Sequence, residues 1–141
     1  MAKATAPPEP PYRILTVARM TELVVEHAPA KVLEVGTGSG YQTAVLSLLC
    51  DTVYSIDLLA PLTNAAAERL EALGYRNILT KTANGYEGWP EHAPFDGIIV
   101  TAAAPDMATC FAISRALPSP RIAAVDGRTT LSRGGTVDSG R

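Results

Sequence analysis

The amino-acid sequence predicts an α/β fold built on a doubly wound, mostly parallel sheet, and three observations carry that expectation. Short runs rich in Val and Ile recur along the chain, the stretches between them repeat apolar residues at helical spacing, and the first run leads directly into a glycine turn with another helical stretch behind it. Strands that alternate with helices of this length pair in parallel, through right-handed crossovers that place helices on both faces of the sheet.

In chain order, Val17, Met20, Val24 and His27 form the first helical stripe, which Pro29 ends. Val32-Leu33-Glu34-Val35 is the first strand. Residues 41–49 predict a second helix with Ala44, Val45 and Leu48 facing inward. Val53-Tyr54-Ser55-Ile56 is the second strand, closed by Asp57. Leu62, Ala66, Leu70 and Leu73 mark the next helix; Pro61 suits its first turn, where a missing N–H costs nothing, and Gly74 suits the position just past its end. Ile78-Leu79-Thr80 and Ile98-Ile99-Val100 are the third and fourth strands, the latter apolar throughout as a buried central strand should be. Residues 106–117 predict a further helix presenting Met107, Cys110 and Phe111, and residues 121–125 a fifth strand, with Pro118 and Pro120 at the join.

One domain, residues 13–126, holds these elements. It lies between a Pro- and Ala-rich N-terminus, residues 1–12, expected to be flexible, and residues 127–141, whose Gly, Ser, Thr and Arg leave little to bury and read as a disordered tail. Residues 115–141 carry five Arg against two Asp, whereas the preceding 114 carry seven basic and twelve acidic side chains, so the change in composition coincides with the loss of periodic signal.

Several function classes drop out. The apolar runs fall far short of the ~18 residues of a membrane span, and the N-terminus has no basic head, apolar core and small-residue cleavage site, so a cytoplasmic protein with no membrane partner is expected. A net charge of −2 does not gather a polyanion, which argues against nucleic acid. Cys50 and Cys110 form no Cys/His cluster and read as buried thiols, and His27 and His92 have no ligand-type neighbours, so no metal is expected.

The chemistry concentrates in Val35-Gly36-Thr37-Gly38-Ser39-Gly40-Tyr41. Alternating glycines let the backbone turn with positive φ and let a ligand approach the main chain unobstructed, while the helix that follows offers N–H groups. A dinucleotide loop would carry its last small residue where Tyr41 stands. The spacing G-x-G-x-G, with Glu34 two residues ahead, points instead to a nucleoside ligand with a cationic amino-acid tail. Asp57 ends the second strand about twenty residues later, where a carboxylate can accept from both hydroxyls of a ribose; its other reading is a cap on the next turn.

Together with Val17-Ala18-Arg19-Met20-Thr21-Glu22-Leu23, Leu73-Gly74-Tyr75-Arg76-Asn77, Asn84-Gly85 with Gly88, and the phrase from Ala93-Pro94-Phe95-Asp96-Gly97 to Ala104-Pro105, this loop resembles the protein-L-isoaspartate O-methyltransferases over about residues 16–105. The resemblance implies a Rossmann-like methyltransferase fold and S-adenosyl-L-methionine as cofactor, with S-adenosyl-L-homocysteine as product. It also implies methyl transfer to the carboxylate of L-isoaspartyl residues in damaged proteins or peptides. By matched position, Gly36, Gly38 and Gly40 would lie under the methionine part of the cofactor, Glu34 would orient its amino end, and Asp57 would hold the ribose. Thr37, Ser39 and Leu58 would complete the contacts, and Asn84-Gly85 falls where the family has an Asp-Gly pair reading the adenine amino group.

Two departures accompany the match. Asn84 is neutral where the family has a charge, and the family's Thr-Ile-Ser-x-Pro segment, whose hydroxyl contacts the acceptor carboxylate, has no counterpart in Pro11-Tyr12-Arg13-Ile14-Leu15-Thr16. The catalytic residue is therefore unassigned, with Tyr12, Arg13 and Thr16 as candidate substitutes. Relative to the family the chain reads as shortened at both ends and its sheet as incomplete at the C-terminal strands, which would expose an edge. An inactive cofactor-binding remnant is the alternative function, and a different nucleotide module the third. Trp89 reads either as a cover on the core edge or as a stacking partner for adenine.

Overall fold

A computed structural model describes residues 12–26, 28–101, 121–124, 130–131 and 137–138, with the side chains of residues 17–26 and 28–101. Strands β1 (Lys31–Val35), β2 (Thr52–Asp57), β3 (Ile78–Thr82), β4 (Gly97–Val100) and β5 (Arg121–Ala124) form one sheet in the order β3-β2-β1-β4-β5. Every neighbouring pair in it is parallel. Val32 stands opposite both Val53 and Gly97, so β1 is the central strand. From β1 the chain winds outward to β2 and β3, then returns to β4 on the other side. The direction of winding therefore reverses between β1 and β4, and in open parallel sheets the crevice at the carboxyl ends of such a pair is where ligands bind.

Alternation along the strands assigns two cores. Val32, Val53 and Ile99 face helices α1 (Tyr12–Val25) and α2 (Tyr41–Ser47), and pack with Met20, Val24 and Leu46. Leu33, Val35, Tyr54, Ile56, Ile98 and Val100 face the other way and pack with Phe95. Among the described residues that second face is covered by the β3–β4 connection. There Gly85, Gly88, Pro90 and Pro94 restrict helix to two single 3-10 turns, Gly85–Glu87 and Pro90–His92. Trp89 and His92 supply the bulk, with ring centroids 5.5 and 4.6 Å from that of Tyr54. Lys31 Nζ lies 5.6 Å above the same ring and donates to His92 O, which ties the connection to β1. Trp89 is thus a cover on the core edge, the first of its two expected roles.

Helix α3 (Ala60–Ala72) joins β2 to β3, with Pro61 in its first turn as predicted. Its end is a Schellman motif: Tyr75 N donates to Leu70 O, Gly74 N donates to Glu71 O, and Gly74 takes φ 89°. Two helix faces differ from the sequence reading. The buried residues of α2 are Gln42, Thr43, Leu46 and Ser47, whereas Leu48 is exposed. In α3 they are Thr63, Ala66 and Leu70, whereas Leu62 and Leu73 are exposed. Periodicity assumes an apolar partner, but the inward face of α2 meets a buried carboxylate and a threonine of α1. Leu48 and Leu73 are C-cap residues, where the chain turns away from the core.

Side chains far apart in sequence fix the strand starts. Asp96 Oδ2 accepts from Ala30 N and Lys31 N, each at 2.9 Å, and clamps β4 to β1. Asn77 Nδ2 donates to Ser47 O at 2.8 Å and anchors β3 beneath α2. Cys50 is half-buried, donates to Leu46 O, and burial pushes its thiol up to about 11. The predicted fifth strand is β5, residues 121–124. Within residues 127–141, where no element was expected, β6 (Thr130–Leu131) and β7 (Val137–Asp138) pair antiparallel as a second sheet. His27, Cys110 and the helix expected over residues 106–117 lie outside the described residues.

Candidate functional site

The site grows from the carboxyl end of β1, where Gly36, Gly38 and Gly40 take φ of 105°, 52° and 86°. Side chains rarely adopt such angles, so the sequence needs glycine there to turn from strand to helix within five residues. The turn is held from three sides. Gly36 N donates to Ile56 O of β2 at 2.7 Å, and Thr101 Oγ1, just past β4, donates to Gly36 O at 2.7 Å. From α3, Arg69 Nη1 donates to Ser39 O at 2.6 Å. A Cβ on Gly40 would lie 3.3 Å from Leu70 Cδ1, so α3 packs directly against the loop.

Below the loop, Glu34 is fully buried and faces α2. Thr43 and Ser55 both donate to its Oε1, at 2.5 and 2.6 Å, while Oε2 has no partner among the described residues. The Ser55 proton goes to Glu34, so Thr37 is the donor in its 2.7 Å bond to Ser55 Oγ, and a hydroxyl relay joins the loop to the carboxyl group. Desolvation outweighs these two hydrogen bonds, and the neighbouring Asp57 adds like-charge repulsion, so Glu34 is raised from 4.5 to about 7.

Asp57 stands beside the loop at the end of β2. Its Oδ2 accepts from Gly38 N and its Oδ1 from Leu59 N, each at 3.0 Å. It caps the next turn and also braces the glycine loop. An ionised carboxylate has about four acceptor positions, so capacity remains for a ligand's hydroxyls. Leu58 is 69% exposed beside it. Asn84 and Gly85 arrive after β3, drawn in by the bond from Ala83 N to Asp57 O. Asn84 Oδ1 accepts from Tyr86 N, and a Cβ on Gly85 would lie 2.3 Å from Val35 Cγ1, so only glycine lets this backbone lie flush on β1.

All ten residues singled out from the sequence, Glu34, Gly36–Gly40, Asp57, Leu58, Asn84 and Gly85, thus meet at the carboxyl ends of β1, β2 and β3. Sequence reasoning missed Thr43, Ser55, Arg69 and Thr101. A signal existed for Ser55, a hydroxyl inside an apolar strand, in register with Glu34. Tyr12, Arg13 and Thr16 lie on the first turns of α1, and their side chains are outside the described set. Among the described residues no three His, Cys, Asp or Glu gather to hold a metal, and no helix is long and apolar enough to cross a membrane.

A family model described as protein-L-isoaspartate(D-aspartate) O-methyltransferase matches residues 12–113. A protein-L-isoaspartate O-methyltransferase 1 from Marinobacter nauticus is 62% identical over 87 residues, covering 62% of this chain and 40% of that protein. Its counterpart from Nitrosospira multiformis is 60% identical over 90 residues, covering 64% and 38%. The chain therefore spans about 40% of the length of these relatives. A solved protein-L-isoaspartate O-methyltransferase superposes with a TM-score of 0.65 at 28% identity, over 77% of this chain and 35% of that one. The N-methyltransferase NodS from Bradyrhizobium japonicum, in complex with S-adenosyl-L-homocysteine, gives 0.69 at 18% identity, over 83% and 63%, a likeness of fold alone.

Proposed function

The chain belongs to the protein-L-isoaspartate(D-aspartate) O-methyltransferase family, and from that premise we propose that it transfers a methyl group from S-adenosyl-L-methionine to the carboxylate of L-isoaspartyl residues in damaged proteins or peptides. The observation that carries the reading is the convergence of the glycine loop, Asp57 and Asn84-Gly85 on one crevice, inside a segment that matches the family from residue 12 to 113. The catalytic unit in this proposal is residues 13–126, acting in the cytoplasm.

The residues present fit the cofactor. Three glycines at positive φ leave every second position of the loop without a side chain, Asp57 keeps spare acceptor capacity, and the buried Oε2 of Glu34 beneath the loop has no hydrogen-bond partner among the described residues. In the proposal Gly36, Thr37, Gly38, Ser39 and Gly40 hold the amino-acid part, with Glu34 behind them. Asp57 holds the ribose, Leu58 covers one face of the base, and Asn84-Gly85 reads its amino group. When bound, S-adenosyl-L-methionine supplies a methyl group already activated on a sulfonium.

The acceptor carboxylate is ionised at neutral pH, so no side chain has to remove a proton from it. What the chain contributes is placement and exclusion of water, effects that together account for several kcal/mol of a barrier. Thr101 and Arg69 serve placement by fixing the loop's carbonyls at Gly36 and Ser39. Tyr12, Arg13 and Thr16 remain the candidates for contact with the acceptor carboxylate.

The test is transfer of labelled methyl from S-adenosyl-L-methionine to an isoaspartyl peptide, with the matching aspartyl peptide as control. Selective labelling is expected. Cofactor binding without labelling would leave an inactive cofactor-binding protein, and equal labelling of both peptides would remove the isoaspartyl assignment.

A further inference from the structure

Glu34 is completely buried, and among the described residues the side chains bonded to it supply polarity without positive charge. Helix α2 contributes the Thr43 hydroxyl and β2 the Ser55 hydroxyl, both directed at Oε1. The loop contributes Thr37, one hydroxyl further away. The charged group that acts on it is Asp57 at the end of β2, of the same sign as an ionised glutamate. The described basic side chains of the neighbouring elements are engaged elsewhere: Arg69 of α3 on Ser39 O, Arg19 of α1 on Glu22, and Lys31, at the far end of β1, on His92 O. Asp96, ahead of β4, is likewise at that far end, holding Ala30 N and Lys31 N. An ionised carboxylate in this position would bring a desolvated charge with no cation beside it among the described residues, a far larger cost than a neutral carboxyl group with the same unpartnered Oε2.

We propose that Glu34 is a proton-linked positioning residue: it holds a proton in the ligand-free protein and gives it up when a cationic ligand is seated on the glycine loop. This rests on the functional reading above, which brings an ammonium-bearing ligand to the loop. In the step, the O–H bond at Oε2 breaks, the electron pair stays on the carboxylate, and the proton passes to the solvent buffer. The ligand's positive charge then balances the new negative one. The hydroxyl relay through Ser55 to Thr37 connects the carboxylate to the segment that the ligand contacts. A carboxyl group raised to about 7 by burial agrees with this, because a nearby cation has a proton to displace at neutral pH.

The experiment is calorimetric titration of the full 141-residue chain with S-adenosyl-L-homocysteine in buffers of different ionisation enthalpy, beside an infrared pH titration of the ligand-free protein. Binding should release roughly half a proton at about pH 7 and almost none at about pH 8.5, with affinity about tenfold weaker at about pH 6 than at pH 8. The Glu34→Gln variant should bind with no buffer dependence. A protonated-carboxyl band should titrate away near neutrality in the wild type and be missing from the variant. Binding whose heat does not depend on buffer and whose affinity is flat with pH overturns proton release. A band that disappears in the ordinary glutamate range overturns the stored proton. If no ligand binds, the functional reading and the release step fall together, and the infrared titration still decides whether Glu34 holds the proton. Both wild-type measurements stand if the variant does not fold.

Discussion

Glu34 makes the conflict between folding and binding visible in one side chain. Burial raises its carboxyl to about 7 from 4.5, so between those values the folded chain holds a proton that the unfolded chain has lost. Stability therefore declines as pH rises through that window, by about 3 kcal/mol in total if the whole shift is expressed. Glu34→Gln should flatten the decline and be the more stable protein at about pH 8, which urea unfolding at several pH values would register. Equal pH slopes in the two proteins would contradict this. Asn84 allows a gain instead of a loss. A neutral carbonyl stands where the family resemblance places a carboxylate, and charge-assisted hydrogen bonds are roughly twice as strong as neutral ones. Asn84→Asp should tighten S-adenosyl-L-homocysteine binding by on the order of 1 kcal/mol, read by calorimetry. The glycines and Asp57 were legible in the sequence because each lies at a strand end in a fixed local pattern. The contacts of Ser55 with Glu34 and of Thr101 with Gly36 were not, because they span 21 and 65 residues and exist only once strands pair.

The elements divide by how much of their context the sequence carries. The two ends of helix α3 were readable, since Pro61 and Gly74 act through backbone geometry alone, although Leu62 and Leu73 of its expected inward face are exposed. Gly74→Ala should cost about 1 kcal/mol, because its φ of 89° is strained for any Cβ-bearing residue although nothing crowds the site. Thermal unfolding would show the loss. Helix α2 was misread in its inward face because it packs on polar groups: Gln42 Nε2 donates to Thr21 Oγ1 of α1, and Thr43 donates to Glu34. The β3–β4 connection relies on aromatic bulk where a helix would otherwise lie. Trp89, half-buried over Tyr54, should cost about 2 kcal/mol on substitution by Ala, with little change in cofactor affinity. A loss of binding with retained stability would instead move Trp89 into the site.

At the scale of the molecule, the parallel order β3-β2-β1-β4-β5 is what turns scattered residues into a site. Reversal of winding at β1 leaves a crevice between β1 and β4, and the glycine loop opens there with β2 and β3 delivering Asp57, Leu58, Asn84 and Gly85 alongside it. The sequence was enough for the class of fold, since strand and helix signals alternate cleanly as far as the third strand and Ile98-Ile99-Val100 adds a buried fourth. Strand order is different in kind: it depends on which strands pair, and no local pattern states that. Family membership rests on residues 12–113, which contain every residue assigned to the cofactor. The central claim is that this crevice binds the cofactor, and the most direct measurement is a titration of the isotope-labelled 141-residue chain with S-adenosyl-L-homocysteine, followed by backbone amide shifts. Saturable changes at Gly36, Gly38, Gly40, Leu58 and Gly85, abolished in Asp57→Ala, are the predicted result. No saturable change, or changes confined to the opposite end of the strands around Lys31 and Asp96, would contradict it.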